Sequence, residues 1–221
     1  AYGGEGIGLA PTTVAALRRM AVQTSGVGGT AHCATACLAV THGASKDPAI
    51  KTRTDTLKEW LQLWDSHPEQ QADIRLCWSK GLSRLFSGFN RWTKVFGPIT
   101  NTIATLLEAG WVPQQPDRWI PAARDGAWEL SASSDSTAVI AAFEKDLAKG
   151  LWAKAAESSH LSKGTQDGVD MHILNKQLLA LDKKSPTQAS ILRAASAGSL
   201  WPPGRYLPGP CQHCGSEHSE T

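Results

Sequence analysis

The stretch that determines how the chain is interpreted is IRLCWSKGLSRLFSGFNRWTKVFGPITNTIATLLEAGWVPQQPDRW, residues 74–119. Its first half contains five cations, which are Arg75, Lys80, Arg84, Arg91 and Lys94. The aromatic rings that lie among these cations are Trp78, Phe86, Phe89, Trp92 and Phe96. No acidic residue interrupts the stretch before Glu108. Cations interleaved with planar rings fit a nucleic-acid backbone, because Lys and Arg neutralise phosphates while rings pack or stack. The pattern also fits a helix pair with a solvated basic rim and a Trp/Phe core, so both interpretations stay open.

Composition limits the classes of protein to which the chain can belong. Its 221 residues suffice for one substantial domain or two small ones, and an apolar share of 41% allows a core to form. The net charge is only +2, so any affinity for nucleic acid must come from local clusters of cations. The chain has no long apolar run and no signal peptide, and we therefore expect a soluble, non-secreted protein without a membrane partner.

Helix-start signals and hydrophobic spacing predict a mainly α fold that consists of a multi-helix bundle. Asp47-Pro48 supplies a capping carboxylate followed by proline at the first helical position, and Ile50, Leu57 and Trp60 follow at helical spacing. Nine Trp against two Tyr predict that large rigid side chains fix the contacts between helices.

The segment after residue 110 interrupts the helical pattern. Pro113, Pro116 and Pro121 exclude helix, and Arg124-Asp125-Gly126 has the composition of a hairpin turn between short strands. We therefore predict a short Trp/Pro-rich insert that is either extended or a β-hairpin.

These patterns divide the chain into four segments. Residues 1–110 form a helical bundle, 111–134 a Trp/Pro-rich extended connector, 135–200 a second helical segment, and 201–221 a Pro-rich linker with a truncated CxxC motif. The first residue is Ala1 rather than Met, and the last residues fall inside an apparent metal motif. We therefore expect a piece of a longer polypeptide.

Two cysteine pairs are candidate metal ligands. Cys211 and Cys214, followed by Gly215, have the spacing at which two thiolates share one tetrahedral zinc, but four ligands are needed and the segment does not supply a clean set. A redox or idle thiol pair is the alternative. Cys33 and Cys37 lie one helical turn apart in an Ala-rich helix, a setting more typical of a core.

The sequence offers no complete catalytic set. It contains no paired carboxylate motif of a two-metal site, no G-x-S-x-G element, no Walker loop and no H-E-x-x-H. We therefore predict no catalytic residue in the chain.

Several segments, taken in order, resemble the region that follows the polymerase core in non-LTR retrotransposon polyproteins. Residues 2–19 resemble the segment that leaves the palm, and residues 47–60 resemble the helical thumb. Residues 97–111, with Trp119 beyond them, resemble the connector that comes next. Cys211-x-x-Cys214-Gly with the trailing Glu-Thr resembles the first half of the downstream zinc motif.

The resemblance implies a function for the whole polypeptide and another for this piece. The parent would be an RNA-directed DNA polymerase that copies its own RNA by target-primed reverse transcription in the nucleus, with Mg held by aspartates of an upstream palm and not bound here. This piece would be a non-catalytic thumb-like bundle and connector with a zinc-knuckle-like stub. It would pack on that palm and grip RNA template and DNA primer as an RNA–DNA hybrid. The implied nucleic-acid contacts are Arg75, Lys80, Arg84, Arg91, Trp92 and Lys94.

Two other functions remain compatible with the residues. One is a helical protein-interaction scaffold that binds partners through a Trp-rich surface and has no nucleic-acid role. The other is a hydrolase or transferase whose site the sequence does not reveal. Salt-dependent binding to nucleic acid separates the first of these from the reverse transcriptase interpretation.

Overall fold

The computed structural model describes residues 8–27, 33–87, 90–121, 126–130, 135–158 and 164–197. These residues form eight α-helices and three short β-strands, so the prediction of a mainly α fold with a β insert is confirmed. The helices are α1 Pro11–Gln23, α2 Ala34–Thr41, α3 Pro48–Ser66, α4 Gln71–Phe86, α5 Gly97–Glu108, α6 Ser136–Ser158, α7 His172–Lys184 and α8 Pro186–Ser196. The linker and CxxC motif at 201–221, with Cys211 and Cys214, lie outside the described residues.

Proline and capping carboxylates set the helix starts, largely as the sequence predicts. Asp47 accepts a hydrogen bond from the Ala49 amide at 2.9 Å, and the same carboxylate pairs with Arg18 of α1 at 2.8 Å. The cap of α3 therefore also holds α1. Pro68 opens a short 3-10 turn, Pro68–Gln70, directly before α4, a common arrangement at helix N-termini.

Tryptophan indoles attach the β insert to the helices. The Trp60 and Trp78 rings, from α3 and α4, lie 5.1 Å apart. Their N–H groups donate to the carbonyl oxygens of Pro116 at 3.0 Å and Pro113 at 3.1 Å. Each indole thereby satisfies a buried donor on a backbone acceptor, and the insert is fixed across both helices.

The insert is a three-stranded antiparallel sheet in the order β1-β2-β3. The strands are β1 Val112–Gln115, β2 Arg118–Ile120 and β3 Trp128–Glu129. The turn at Pro116 and Asp117, which joins β1 to β2, was not predicted from the sequence. The predicted turn falls between β2 and β3, where Gly126 has a φ of 122° and residues 124–125 lie outside the described part.

One hydrophobic core crosses the boundaries that the sequence predicted between segments. Trp111, just before β1, donates from its indole N–H to the Asp146 carboxylate of α6 at 2.8 Å. The Trp111 ring meets Phe143 edge-on with centroids 5.3 Å apart. The core runs from Ile50 to Leu147, so α6 packs with the first bundle.

The helices α7 and α8 pair with each other, and α8 packs against α2. The Cys33 amide donates to the Ala197 carbonyl oxygen at 3.1 Å, and a small second core contains Val22, Cys37 and Leu38 with Ala197. Within the described part of the chain, no helix is both long and apolar enough to cross a membrane.

Replacing Trp60 by Phe should lower the free energy of unfolding by about 2–4 kcal/mol, because the Pro116 carbonyl loses its buried donor and a cavity opens. Trp128→Phe is the matched control, since Trp128 is half-buried and its indole N–H has no hydrogen bond within the described residues. Urea denaturation followed by circular dichroism measures both. Equal losses in the two variants would contradict the role given to the Trp60 hydrogen bond.

Candidate nucleic-acid interface

A buried arginine on α3 organises the region around the predicted cations. Arg53 is 1% exposed, and its Nε lies 2.9 Å from a Glu108 carboxylate oxygen at the end of α5. Its Nη1 donates to the Leu9 carbonyl oxygen at 2.8 Å. Its guanidinium carbon also lies 4.2 Å from the centroid of the Trp92 ring. Arg53 thus joins four separate parts of the chain.

Burial and pairing act in opposite directions on the Arg53 charge. Burial lowers the pKa of Arg53 from its ordinary value, while the Glu108 carboxylate raises it. Arginine remains protonated because its ordinary value lies so far above neutral pH. The structure must therefore keep Glu108, the Leu9 carbonyl and Trp92 next to this charge.

Close to Trp92, the chain folds back on the last turn of α4. A 3-10 turn, Arg91–Lys94, starts where the Asn90 side chain accepts the Trp92 amide at 3.2 Å. Lys94 Nζ donates to Ser87 Oγ at 2.8 Å, and Ser87 Oγ donates to the Arg84 carbonyl at 2.8 Å. Lys94 is therefore held against the end of α4.

Two arginine–phenylalanine contacts bring further cations to the same place. The Arg84 guanidinium lies 4.6 Å from the Phe96 ring centroid, and the Arg91 guanidinium lies 5.6 Å from that of Phe86. Both rings are more than half exposed, Phe86 at 60% and Phe96 at 63%. Such contacts hold the guanidinium plane while leaving its N–H donors available. We call the surface formed by Lys80, Arg84, Arg91 and Lys94 the basic corner.

The charges of the basic corner have no acidic partner in the described part of the chain. None of its four cations forms an ion pair there. The sequence also places no Asp or Glu between Asp73 and Glu108. Lys80 precedes Arg84 by one helical turn, so the two share a side of α4. The corner is consequently a local positive surface on a chain of small net charge.

The basic corner curves around the end of α4 and does not form a single straight groove. Arg84 and Phe86 are two residues apart on the helix, which places them about 200° apart around its axis. The contacts of Arg84 and of Arg91 therefore lie on different sides of α4. A ligand that touches both Arg84 and Arg91 must therefore bend around the end of α4.

Two of the predicted nucleic-acid contacts, Arg75 and Trp92, have partners inside the fold. Arg75 lies 2.6 Å from Asp117 of the β insert and 5.1 Å above the Trp64 ring, about 13 Å along α4 from Arg84. Trp92 is only half-buried, but Arg53 covers one face of its ring. Arg75 and Trp92 therefore position other elements, and the predicted set divides into these two and the basic corner.

The candidate metal ligands give no cluster among the described residues. No group of three or more His, Cys, Asp or Glu side chains lies close enough there to hold an ion. Cys37 is fully buried, its sulfur is 3.3 Å from Ser25 Oγ, and burial raises the pKa of its thiol. Cys33 is half-buried. Both positions agree with the core interpretation of this pair.

Sequence reasoning missed Arg53, although a signal was present. Ile50, Arg53, Leu57 and Trp60 follow one another at steps of three and four residues, so Arg53 stands on the apolar stripe of α3. A charged residue at such a position is buried only if it is paired. The partner Glu108 is too distant in sequence to be identified by spacing.

Comparison with protein-family models, curated proteins and solved structures gave no match for this chain. The resemblance to a reverse transcriptase thumb and connector therefore stays a prediction.

Arg53→Met should lower the free energy of unfolding by roughly 3 kcal/mol, because Glu108 and the Leu9 carbonyl lose their partner. Lys51→Met on the same helix is the matched control, since the exposed Lys51–Asp55 pair contributes less than about 1 kcal/mol. Thermal and urea unfolding measure the difference. An Arg53 loss no greater than that of Lys51 would contradict the role of Arg53.

Proposed function

We propose that the chain binds nucleic acid through the basic corner. The proposal is based on the way in which residues 91–96 fold back on the end of α4. Three contacts hold them there: Arg84 with Phe96, Phe86 with Arg91, and Ser87 with Lys94. These contacts gather cations that have no acidic partner among the described residues. They also hold two phenylalanine rings at the surface beside the cations.

The chemistry of this surface favours a polyanion that carries rings. Phosphate oxygens accept hydrogen bonds from guanidinium and ammonium groups, and binding releases counterions from the nucleic acid. Exposed Phe86 and Phe96 offer faces or edges on which a sugar or base packs, without requiring a particular sequence. Contacts of this kind carry no base information, so affinity should depend on salt more than on sequence.

The finer proposal is that the chain is part of a retroelement reverse transcriptase. In that role the bundle and connector would grip RNA template and DNA primer beside an upstream palm, and the magnesium ions would belong to that palm. The mainly helical body and the residues 2–19, 47–60 and 97–111 support this role. Zinc at Cys211 and Cys214 is part of the same proposal and rests on the sequence alone.

The scaffold alternative depends on exposed tryptophans, which the described residues do not provide. The buried tryptophans are Trp60, Trp64, Trp78, Trp111, Trp119 and Trp152. Trp92 and Trp128 are half-buried. Since these side chains serve the core, the geometry favours the basic corner over a Trp-rich docking surface.

The double substitution Lys80→Glu/Arg84→Glu should weaken binding to single-stranded RNA, DNA and an RNA–DNA hybrid. The plot of log Kobs against log salt concentration should become shallower by about two, because two phosphate contacts are lost. Fluorescence anisotropy over a series of salt concentrations measures both effects.

The matched control is Lys176→Glu/Lys183→Glu on α7, which changes the net charge equally but lies outside the basic corner. Its salt slope should stay close to that of the unsubstituted chain. Equal losses in the two double variants would mean that binding is diffuse, and unchanged binding in both would remove the proposed function.

A further inference from the structure

A cleft of about 540 Å³ lies beside the basic corner, between the end of α4, the 3-10 turn, α5 and α6. Its walls include Phe86, Asn90, Arg91, Trp92, Glu108 and Lys154. The volume falls within the range of roughly 300–1,000 Å³ that is usual for small-molecule sites. Its mixture of rings and charged groups distinguishes it from an apolar packing gap.

Two cations reach this cleft from separate elements. Arg91 comes from the 3-10 turn and Lys154 from α6, and neither has an ion pair within the described residues. Glu108 is the acidic residue on the wall, and its carboxylate lies 2.9 Å from Arg53 Nε. The buried guanidinium offsets that negative charge, so the cleft is positive overall.

The aromatic and amide groups complete the wall. Phe86 is 60% exposed, and the Arg91 guanidinium lies over its ring. The Asn90 side-chain oxygen accepts the Trp92 amide, while its NH₂ group has no hydrogen bond in the described residues. The cleft thus presents cations, free amide donors and a ring within one volume.

We propose that this cleft is a subsite for a nucleoside phosphate. The phosphate pairs with Arg91 and Lys154, and the base packs beside Phe86. This inference rests on the proposed function, because Arg91 belongs to both the basic corner and the cleft. The nucleoside phosphate is either the phosphorylated end of a bound strand or a free nucleotide, and the two share the chemistry that the cleft recognises.

The test compares two short oligonucleotides of one sequence, with and without a 5′-phosphate, and adds free AMP as a third probe. The full chain is measured beside Lys154→Gln, and beside Lys145→Gln, which changes an exposed α6 lysine outside the cleft. We expect the chain to bind the phosphorylated strand about tenfold more tightly than the unphosphorylated one. The preference should fall in Lys154→Gln, where Arg91 alone meets the phosphate, and persist unchanged in Lys145→Gln.

The three probes separate the inference from the proposed function. If both strands bind equally and AMP does not bind, the cleft assignment is overturned while the basic corner stands. If neither strand binds but AMP binds and is lost in Lys154→Gln, the cleft assignment stands for a free nucleotide and the proposed function fails. A phosphate preference that is undiminished in Lys154→Gln also overturns the assignment.

Discussion

The rest of the structure depends on one buried guanidinium, that of Arg53. An arginine taken out of water is tolerated only when its charge meets suitable partners. Glu108, the Leu9 carbonyl and the Trp92 ring supply them, and these groups come from the end of α5, the segment before α1 and the 3-10 turn. Three parts of the chain must therefore close around α3. The positions of Arg91 and Lys94 follow from where Trp92 is held.

Arginine and aromatic side chains at the two ends of α4 make two different kinds of contact. Arg75 and Trp78 attach the β insert, through an ion pair with Asp117 and a hydrogen bond to the Pro113 carbonyl. At the other end of α4, arginines lie over phenylalanines that remain exposed, and their charges have no acidic partner in the described residues. The basic and aromatic residues of this stretch thus include some that attach the β insert and others whose charges have no acidic partner in the described residues.

Helix starts and the non-helical insert were predicted because they depend on neighbouring residues. Pairs of residues that are distant in sequence were not predicted. Asp47-Pro48 determines a helix start through neighbouring atoms, and prolines exclude helix from the insert, so both were readable. The pairing of Arg75 with Asp117 spans 42 residues, and that of Arg53 with Glu108 spans a greater distance. No spacing rule specifies such partners, so the sequence did not show that Arg75 and Trp92 also make contacts inside the fold.

The most direct measurement of the central claim is amide hydrogen exchange, followed by NMR, in Arg53→Lys. Lysine keeps the charge but lacks the planar fork that pairs with Glu108 while covering Trp92. The account predicts that the Phe96 amide, which donates to Thr100 Oγ1 at 2.7 Å, exchanges about ten times faster or more, while the Trp119 amide of β2 keeps its protection. Unchanged protection at Phe96, or an equal loss at both amides, would contradict the claim that Arg53 positions the 3-10 turn.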